Sequence, residues 1–228
     1  MSTALCDPRL GSAASLVRQG AVFADIGTDH AYLPLFLLES GRITRALCTD
    51  IADGPLASAR AHASGSPVRS RMEFIKTDGL DGLSSRGLTD IAICGMGGEL
   101  IADILSRAPF VRDANIRLIL QPMTRQEHLR RYLAREGFAI TDECYSELDG
   151  KYYLTLAAHF TGEVRELTVE QATVGLVPVP PSCVAYRGYL MRKRQALSRA
   201  VEGKRRGGED VSEPSAALFA IEHILNNG

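Results

Sequence analysis

The chain has 228 residues, 45% of them hydrophobic and 23% charged, with a formal net charge of −1. That length buries one full core plus an appendage, and the near-neutral balance excludes a uniformly basic nucleic-acid coat while leaving room for a local patch. The five cysteines, Cys6, Cys48, Cys94, Cys144 and Cys183, are odd in number, scattered and never in a C-x-x-C pair, which argues against a disulfide framework or a zinc site and for reduced intracellular thiols.

An N-terminal helical segment runs through about Gln19. Asp7 and Arg9 interrupt the N-terminus before any apolar stretch builds up, so no signal peptide is expected, and no run has the length of a membrane span, so no membrane association and a cytoplasmic location are expected. Short β-type runs then alternate with helical ones, as a parallel sheet with crossover helices requires. The strands are Ala21 to Gly27, Ala46 to Ile51, Met72 to Asp78, Asp90 to Met96 and Arg117 to Gln121. Cys48 and Cys94 fall inside such runs as small buried hydrophobes. Helices are expected over Pro55 to Ala63, Gly98 to Arg107 and Arg125 to Glu136, the last with Leu129, Tyr132 and Leu133 on one face and a Thr124/Glu127 capping box.

After Gly137 the pattern changes. Phe138 to Glu147 and Lys151 to Phe160 are both β-type and are joined by Leu148-Asp149-Gly150, a strong hairpin signal. An antiparallel hairpin closing a parallel sheet distinguishes the class I methyltransferase architecture, Rossmann-like in its first half, from the nicotinamide-binding fold. Val177 to Pro181 reads as a stiff extended linker. A pair of short antiparallel helices follows, the first with Tyr186, Tyr189, Leu190, Lys193, Leu197 and Val201 as its stripe, broken at Gly207-Gly208 before Ser215 to Leu225. Residues 182 to 206 carry eight basic side chains against Glu202 alone.

The most informative run is Ala24 to Pro34, which joins the first strand to a helix through a small-residue turn carrying two carboxylates. Gly27 lets the backbone approach a ligand at the carboxyl edge of an open α/β sheet. Asp25 and Asp29 would repel a pyrophosphate but suit a cofactor bearing a sulfonium, an amino group and ribose hydroxyls, the description of S-adenosylmethionine, which leaves as S-adenosylhomocysteine. Asp50 ends the second strand, placed either to accept from both ribose hydroxyls or to cap the next helix. Asp78 is placed to take an adenine amino group, or is simple Asp-Gly turn chemistry. Gly95-Met96-Gly97-Gly98 follows the fourth strand where sheet order should reverse, and its glycines either admit a bulky base or serve a tight turn. Met96 packs against cofactor or substrate, or belongs to the core. His30 orients a carboxylate, touches substrate or is a structural hydrogen-bonding group. The Gln121 amide reads a nucleobase edge or satisfies backbone. The other histidines show no metal spacing, so no metal is expected, and nothing resembles a nucleophile elbow or P-loop.

Arg9-Leu10, Ala24 to Pro34, Asp53-Gly54-Pro55, Asp78-Gly79-Leu80, Gly95 to Gly98, Leu118 to Pro122 and Asp149-Gly150-Lys151 together resemble, in order, the motifs of the bacterial TrmK family of tRNA (adenine-N1)-methyltransferases, which modify adenine 22 in the D-loop region. The first turn has Asp29 and Ala31 where methyltransferases in general carry glycine, a departure that TrmK-like sequences share. The resemblance implies a class I catalytic domain followed by a coiled-coil-like helical pair, although the basic stretch and short final helix after Ser182 look less like the family than the rest. The expected division is a catalytic domain over residues 1–162, a linker over 163–181 and a helical hairpin over 182–228 whose basic charge makes it a tRNA-binding appendage. The resemblance also implies that Asp25, Gly27, Asp29, His30, Tyr32, Leu33, Asp50, Ile51, Asp78, Gly79 and Gly95 hold the cofactor, that Arg9 closes the site, and that Gly95, Met96, Gly97 and Gly98 lie beside the target base. Asp29 is then expected to favour the positive charge arriving on the base. Arg192, Lys193, Arg194, Lys204 and Arg205 are the expected phosphate contacts, and no obligate protein partner is evident. Alternatives at this level are a methyltransferase of the same fold acting on a protein or small molecule, and a non-catalytic RNA-binding module. A nicotinamide dehydrogenase is disfavoured by the missing G-x-G-x-x-G.

Overall fold

The computed structural model describes residues 7–84, 86–180 and 182–227. The expectations for Cys6 and Pro181 lie outside the described residues. The strands β1 (Ala21–Ile26), β2 (Ile43–Asp50), β3 (Met72–Lys76), β4 (Asp90–Gly97), β5 (Arg117–Thr124), β6 (Phe138–Leu148) and β7 (Lys151–Phe160) form one sheet in the order β3-β2-β1-β4-β5-β7-β6. β1 to β5 are mutually parallel, and β7 runs antiparallel to both β5 and β6. The hairpin is therefore the one expected. Asp149 and Gly150 both take positive φ, 51° and 71°, as a two-residue type I′ turn demands.

The helices are α1 (Pro8–Leu16), α2 (Tyr32–Glu39), α3 (Asp53–Ala63), α4 (Gly98–Ser106), α5 (Gln126–Arg135), α6 (Val169–Val174), α7 (Val184–Arg206) and α8 (Ser212–Asn227). Strand alternation sends successive residues to opposite faces, and two cores result. On one face Phe23, Ala46, Cys48 and Ile119 pack with α1, α2 and α3. On the other, Ala24, Leu47, Leu118 and Leu120 pack with α4 and α5, and the same core continues into Tyr186, Tyr189 and Leu190 of α7 and Ile221 of α8.

Four expectations are corrected here. The second strand starts at Ile43, three residues early, because Ile43 pairs with Ala21. α5 has no capping box: Arg125 is its N-cap at φ 55°, without a side-chain cap, and Glu127 instead pairs with Lys193. The first C-terminal helix is not short but spans 23 residues, since its apolar stripe is covered along β6, β7 and α8. The segment 163–181 holds α6, with a Thr168/Gln171 capping box and Leu167, Ala172 and Val174 buried. That box is a sequence-visible signal, S/T-x-x-Q, which the proline run downstream obscured.

A buried ion pair joins these parts. Arg130 Nε of α5 donates to Glu143 Oε1 of β6 at 2.6 Å, and both side chains are fully buried. Arg130 also donates to the Ala172 carbonyl at 3.0 Å and to the Tyr145 hydroxyl at 3.1 Å, while Glu143 Oε2 accepts from Leu176 N at 3.0 Å. Every polar atom of the pair that is taken from water thus finds a partner, which a buried pair needs to be tolerated.

Candidate active site

In open α/β sheets a ligand crevice forms where strand order reverses, here between β1 and β4. At their carboxyl ends lies a cavity of about 700 Å³ whose wall includes Asp7, Arg9, Asp25, Gly27, Asp29, His30, Tyr32, Leu33, Cys94 and Gly95. The cavity gathers the expected residues of the first turn with Arg9 and Gly95. Ala31, inside the expected stretch Asp25 to Leu33, also lines it, as do Asp7, Leu10, Leu35, Phe36, His62 and Cys94, which were not foreseen as site residues.

Asp25 ends β1 buried, 8% exposed. Burial pushes its carboxyl up to about 6, against a smaller opposing effect of the Thr28 hydroxyl. Burial, and then Asp25 itself, push the Cys94 thiol well up, so Cys94 is a neutral wall and not a nucleophile. Gly27 takes φ 77°, and a Cβ there would collide with Met96 Cε. The close approach that Gly27 permits in this structure is thus by Met96, which also packs on the core.

Ala31 enters α2 in the left-handed region, φ 55°, a costly conformation for a residue with a Cβ. His62 of α3 braces it: its Nδ1–H donates to the His30 carbonyl at 2.7 Å, and its ring meets Tyr32 edge-on with centroids 4.6 Å apart. Nothing in the sequence marks His62, because the contact is made across two elements. Asp29 projects outward, 77% exposed, with Oδ2 3.6 Å from His30 Nε2. Arg9 is held by Asp7, the N-cap of α1, through Nη2 at 2.7 Å, and stacks over Tyr153 of β7 at 5.4 Å.

Asp50 and Asp78 extend the same sheet edge beyond β2 and β3. Asp50 Oδ1 accepts from Ala52 N at 2.8 Å, a turn bond leading into α3. Ile51 is exposed beside it. Asp78 faces Arg107 Nη2 at 3.2 Å, and Gly79 backs onto Ile104.

The glycine run is not a simple turn. β4 continues to Gly97, with register shifts about Met96. A Cβ at Gly98 would strike the Arg125 carbonyl oxygen, and one at Gly97 would come to 3.2 Å from Thr124 Oγ1. Those two glycines are therefore explained by packing against the β5–α5 junction, not by room for a base. Gly95, at φ 80°, has open space where its side chain would be. Gln121 proves to satisfy backbone, accepting from Gly95 N at 2.9 Å.

Of the expected phosphate contacts, Lys193 is corrected. It is mostly buried against Glu127, because that helix face is the one covered by the catalytic half. Arg192 lies exposed and bonds the Gly150 carbonyl at 3.0 Å, and Lys204 lies 3.4 Å from Glu209. Among the described residues, no carboxylate lies within ion-pair distance of Arg194 or Arg205. No cluster of three or more His, Cys, Asp or Glu among the described residues is placed to hold a metal ion, and no helix among them is long and apolar enough to cross a membrane.

Residues 6–156 match a family model for a methyltransferase domain. The chain is 39% identical over 150 residues to the tRNA (adenine(22)-N(1))-methyltransferase of Bacillus subtilis, an alignment taking in 66% of this chain and 63% of that protein. The crystal structure of the B. subtilis M1A22 tRNA methyltransferase TrmK superposes with a TM-score of 0.83 at 28% identity, over 95% of this chain and 97% of that one. Streptococcus pneumoniae Sp1610 in complex with S-adenosyl-L-methionine superposes with a TM-score of 0.82 at 30% identity, over 96% and 99%.

Proposed function

The chain belongs to the TrmK family of class I methyltransferases, and from that premise we propose that it transfers a methyl group from S-adenosylmethionine to N1 of adenine 22 in the D-loop region of tRNA, in the cytoplasm. The observation that carries this reading is the carboxylate-walled cavity at the switch point between β1 and β4. Its donor set suits the cofactor. Asp25 and Asp29 are placed for cationic groups, the N-terminus of α2 offers N–H donors to a carboxylate, and Asp50 with exposed Ile51 stands on the neighbouring strand end for a ribose and an adenine face. Asp78 can serve the adenine only by sharing itself with Arg107.

When bound, the cofactor supplies an electrophilic methyl group on a cationic sulfur. Adenine N1 carries an in-plane lone pair, so its attack needs no general base, and the neutral Cys94 thiol beside the site takes no part in it. The chain's work is then to hold the base in line and to favour the positive charge it acquires. Asp29, outward-facing at the rim, is the carboxylate for that role. Asp29→Ala is expected to lower kcat roughly tenfold at saturating substrates; full turnover in a single-turnover assay would remove Asp29 from the mechanism.

The exposed arginines of α7, Arg192 and Arg205 among them, supply phosphate contacts, while Arg194 is half-buried, and the target base must leave its stack to enter the cavity. Reversing Arg192 and Arg205, both exposed, to Glu together is expected to weaken tRNA binding and to reduce the slope of log affinity against log salt by about 2. Filter binding across a salt series reads both, and an unchanged slope would count against this face.

The deciding experiment is transfer of labelled methyl to unmodified tRNA, followed by nucleoside identification and mapping. N1-methyladenosine at position 22 is the expected product. Another modified nucleoside, or no transfer despite cofactor binding, would overturn the acceptor assignment.

A further inference from the structure

The end of β4 departs from regular pairing where the cavity begins. Cys94 pairs with Gln121 and Met96 with Pro122, leaving Gly95 without a ladder partner on β5. The Gly95 amide is nevertheless satisfied, by the side chain of Gln121 at 2.9 Å. Gln121 is 1% exposed, and its Nε2 faces Met123 Sδ at 3.3 Å, which fixes which end of the carboxamide points at Gly95. A sulfur is a weak acceptor, so the strong bond goes to the backbone.

The consequence reaches the cavity. Gly95 forms part of its wall, and the next residue, Met96, fills the space over Gly27, the other glycine of the wall. We propose that Gln121 is a positioning residue for methyl transfer: its carboxamide oxygen stands in for the missing strand partner and holds the Gly95–Met96 bulge in the shape that sets the floor of the site. Gln121 touches neither cofactor nor base in this role. The inference rests on the proposed reading of the cavity as the transfer site.

The test compares Gln121→Met, which keeps volume but loses the acceptor, with Gln121→Glu, which keeps an acceptor at the same reach. Hydrogen exchange of the Gly95 amide in the cofactor-free protein is expected to speed up by at least about tenfold in Gln121→Met and to stay within a few-fold of the parent in Gln121→Glu. Methyl transfer to tRNA should follow the same order, with kcat falling about tenfold or more in Gln121→Met, KM for tRNA little changed, and recovery in Gln121→Glu. Unchanged Gly95 exchange in Gln121→Met overturns the proposal, as does parental kcat in that variant or equal impairment of the two variants. Faster exchange with no transfer by the parent protein would overturn the role in transfer and the acceptor assignment together, while leaving the hydrogen bond itself established. Thermal melting of both variants separates a local effect, with Tm near the parent's, from global unfolding, which would overturn a purely local role.

Discussion

Asparagine in place of Asp25 is expected to stabilise the cofactor-free protein while weakening its hold on the cofactor by roughly 10- to 100-fold. The folded chain keeps the Asp25 proton up to about pH 6, whereas its ordinary value is 3.8. A raised carboxyl value means that the folded state binds the extra proton between those limits. The contribution of this group to stability is therefore full below about pH 4 and is lost as pH rises through 6, a change of about 3 kcal/mol. Asn carries no charge at any pH and escapes that loss, so at pH 7.5 the variant should melt higher than the parent. In the parent, a cationic ligand group facing Asp25 selects the carboxylate, and cofactor affinity should be about tenfold weaker at pH 5 than at pH 7.5. The part of the slope that vanishes in Asp25→Asn is the part belonging to this carboxyl. Calorimetric titration at the two pH values, with melting curves of both proteins, checks each arm. Equal affinity at both pH values, or no gain in stability, would remove Asp25 as a charged partner of the ligand. A desolvated carboxylate of this kind is where stability and function are expected to oppose each other.

Glu143→Ala is expected to be strongly destabilising. It leaves the fully buried Arg130 charge without its 2.6 Å partner and strips the Leu176 amide of its acceptor. Removing one member of such a pair costs about 3–5 kcal/mol, a fall in Tm on the order of 10 °C for a chain of this length. The double replacement Arg130→Met with Glu143→Leu removes both charges and should recover much of that loss. Additive damage in the double variant, read by denaturant unfolding, would show that the ion pair is not what couples these positions. Because Arg130 also holds the Ala172 carbonyl and Tyr186 of α7 donates to the Val174 carbonyl at 3.1 Å, the pair ties α5, β6, α6 and α7 together. The basic face of α7 is in this way tied to the half of the molecule that holds the cavity.

Much of the architecture is written in local signals. Strand alternation, Asp149-Gly150 and the acidic strand ends each act within a few residues, so Asp25, Gly27 and the β6–β7 hairpin stand where their neighbours in the chain place them. That the first turn would gather its small and acidic residues was legible for the same reason: Gly27, Asp25 and Asp29 are close in sequence and need only one strand-to-helix junction to line one cavity. Where short-range rules competed with long-range ones, the long-range ones prevailed. Thr124 and Glu127 have the spacing of a capping box, but Arg125 turns left-handed to lay its carbonyl over Gly98, and Glu127 goes to Lys193, 66 positions away. Lys193 looked like one of a run of free cations until α7 was laid on the sheet half, which covers one helix face and leaves Arg192 and Arg205 outside. His62 bracing the left-handed Ala31 turn, Gln121 completing the Gly95 bulge and Arg130 meeting Glu143 are contacts between elements that no spacing announces. Residue type and local order decided which ligand chemistry the site suits; only packing decided which side chains remain available to meet it, because desolvation and partner choice depend on what the fold brings into contact.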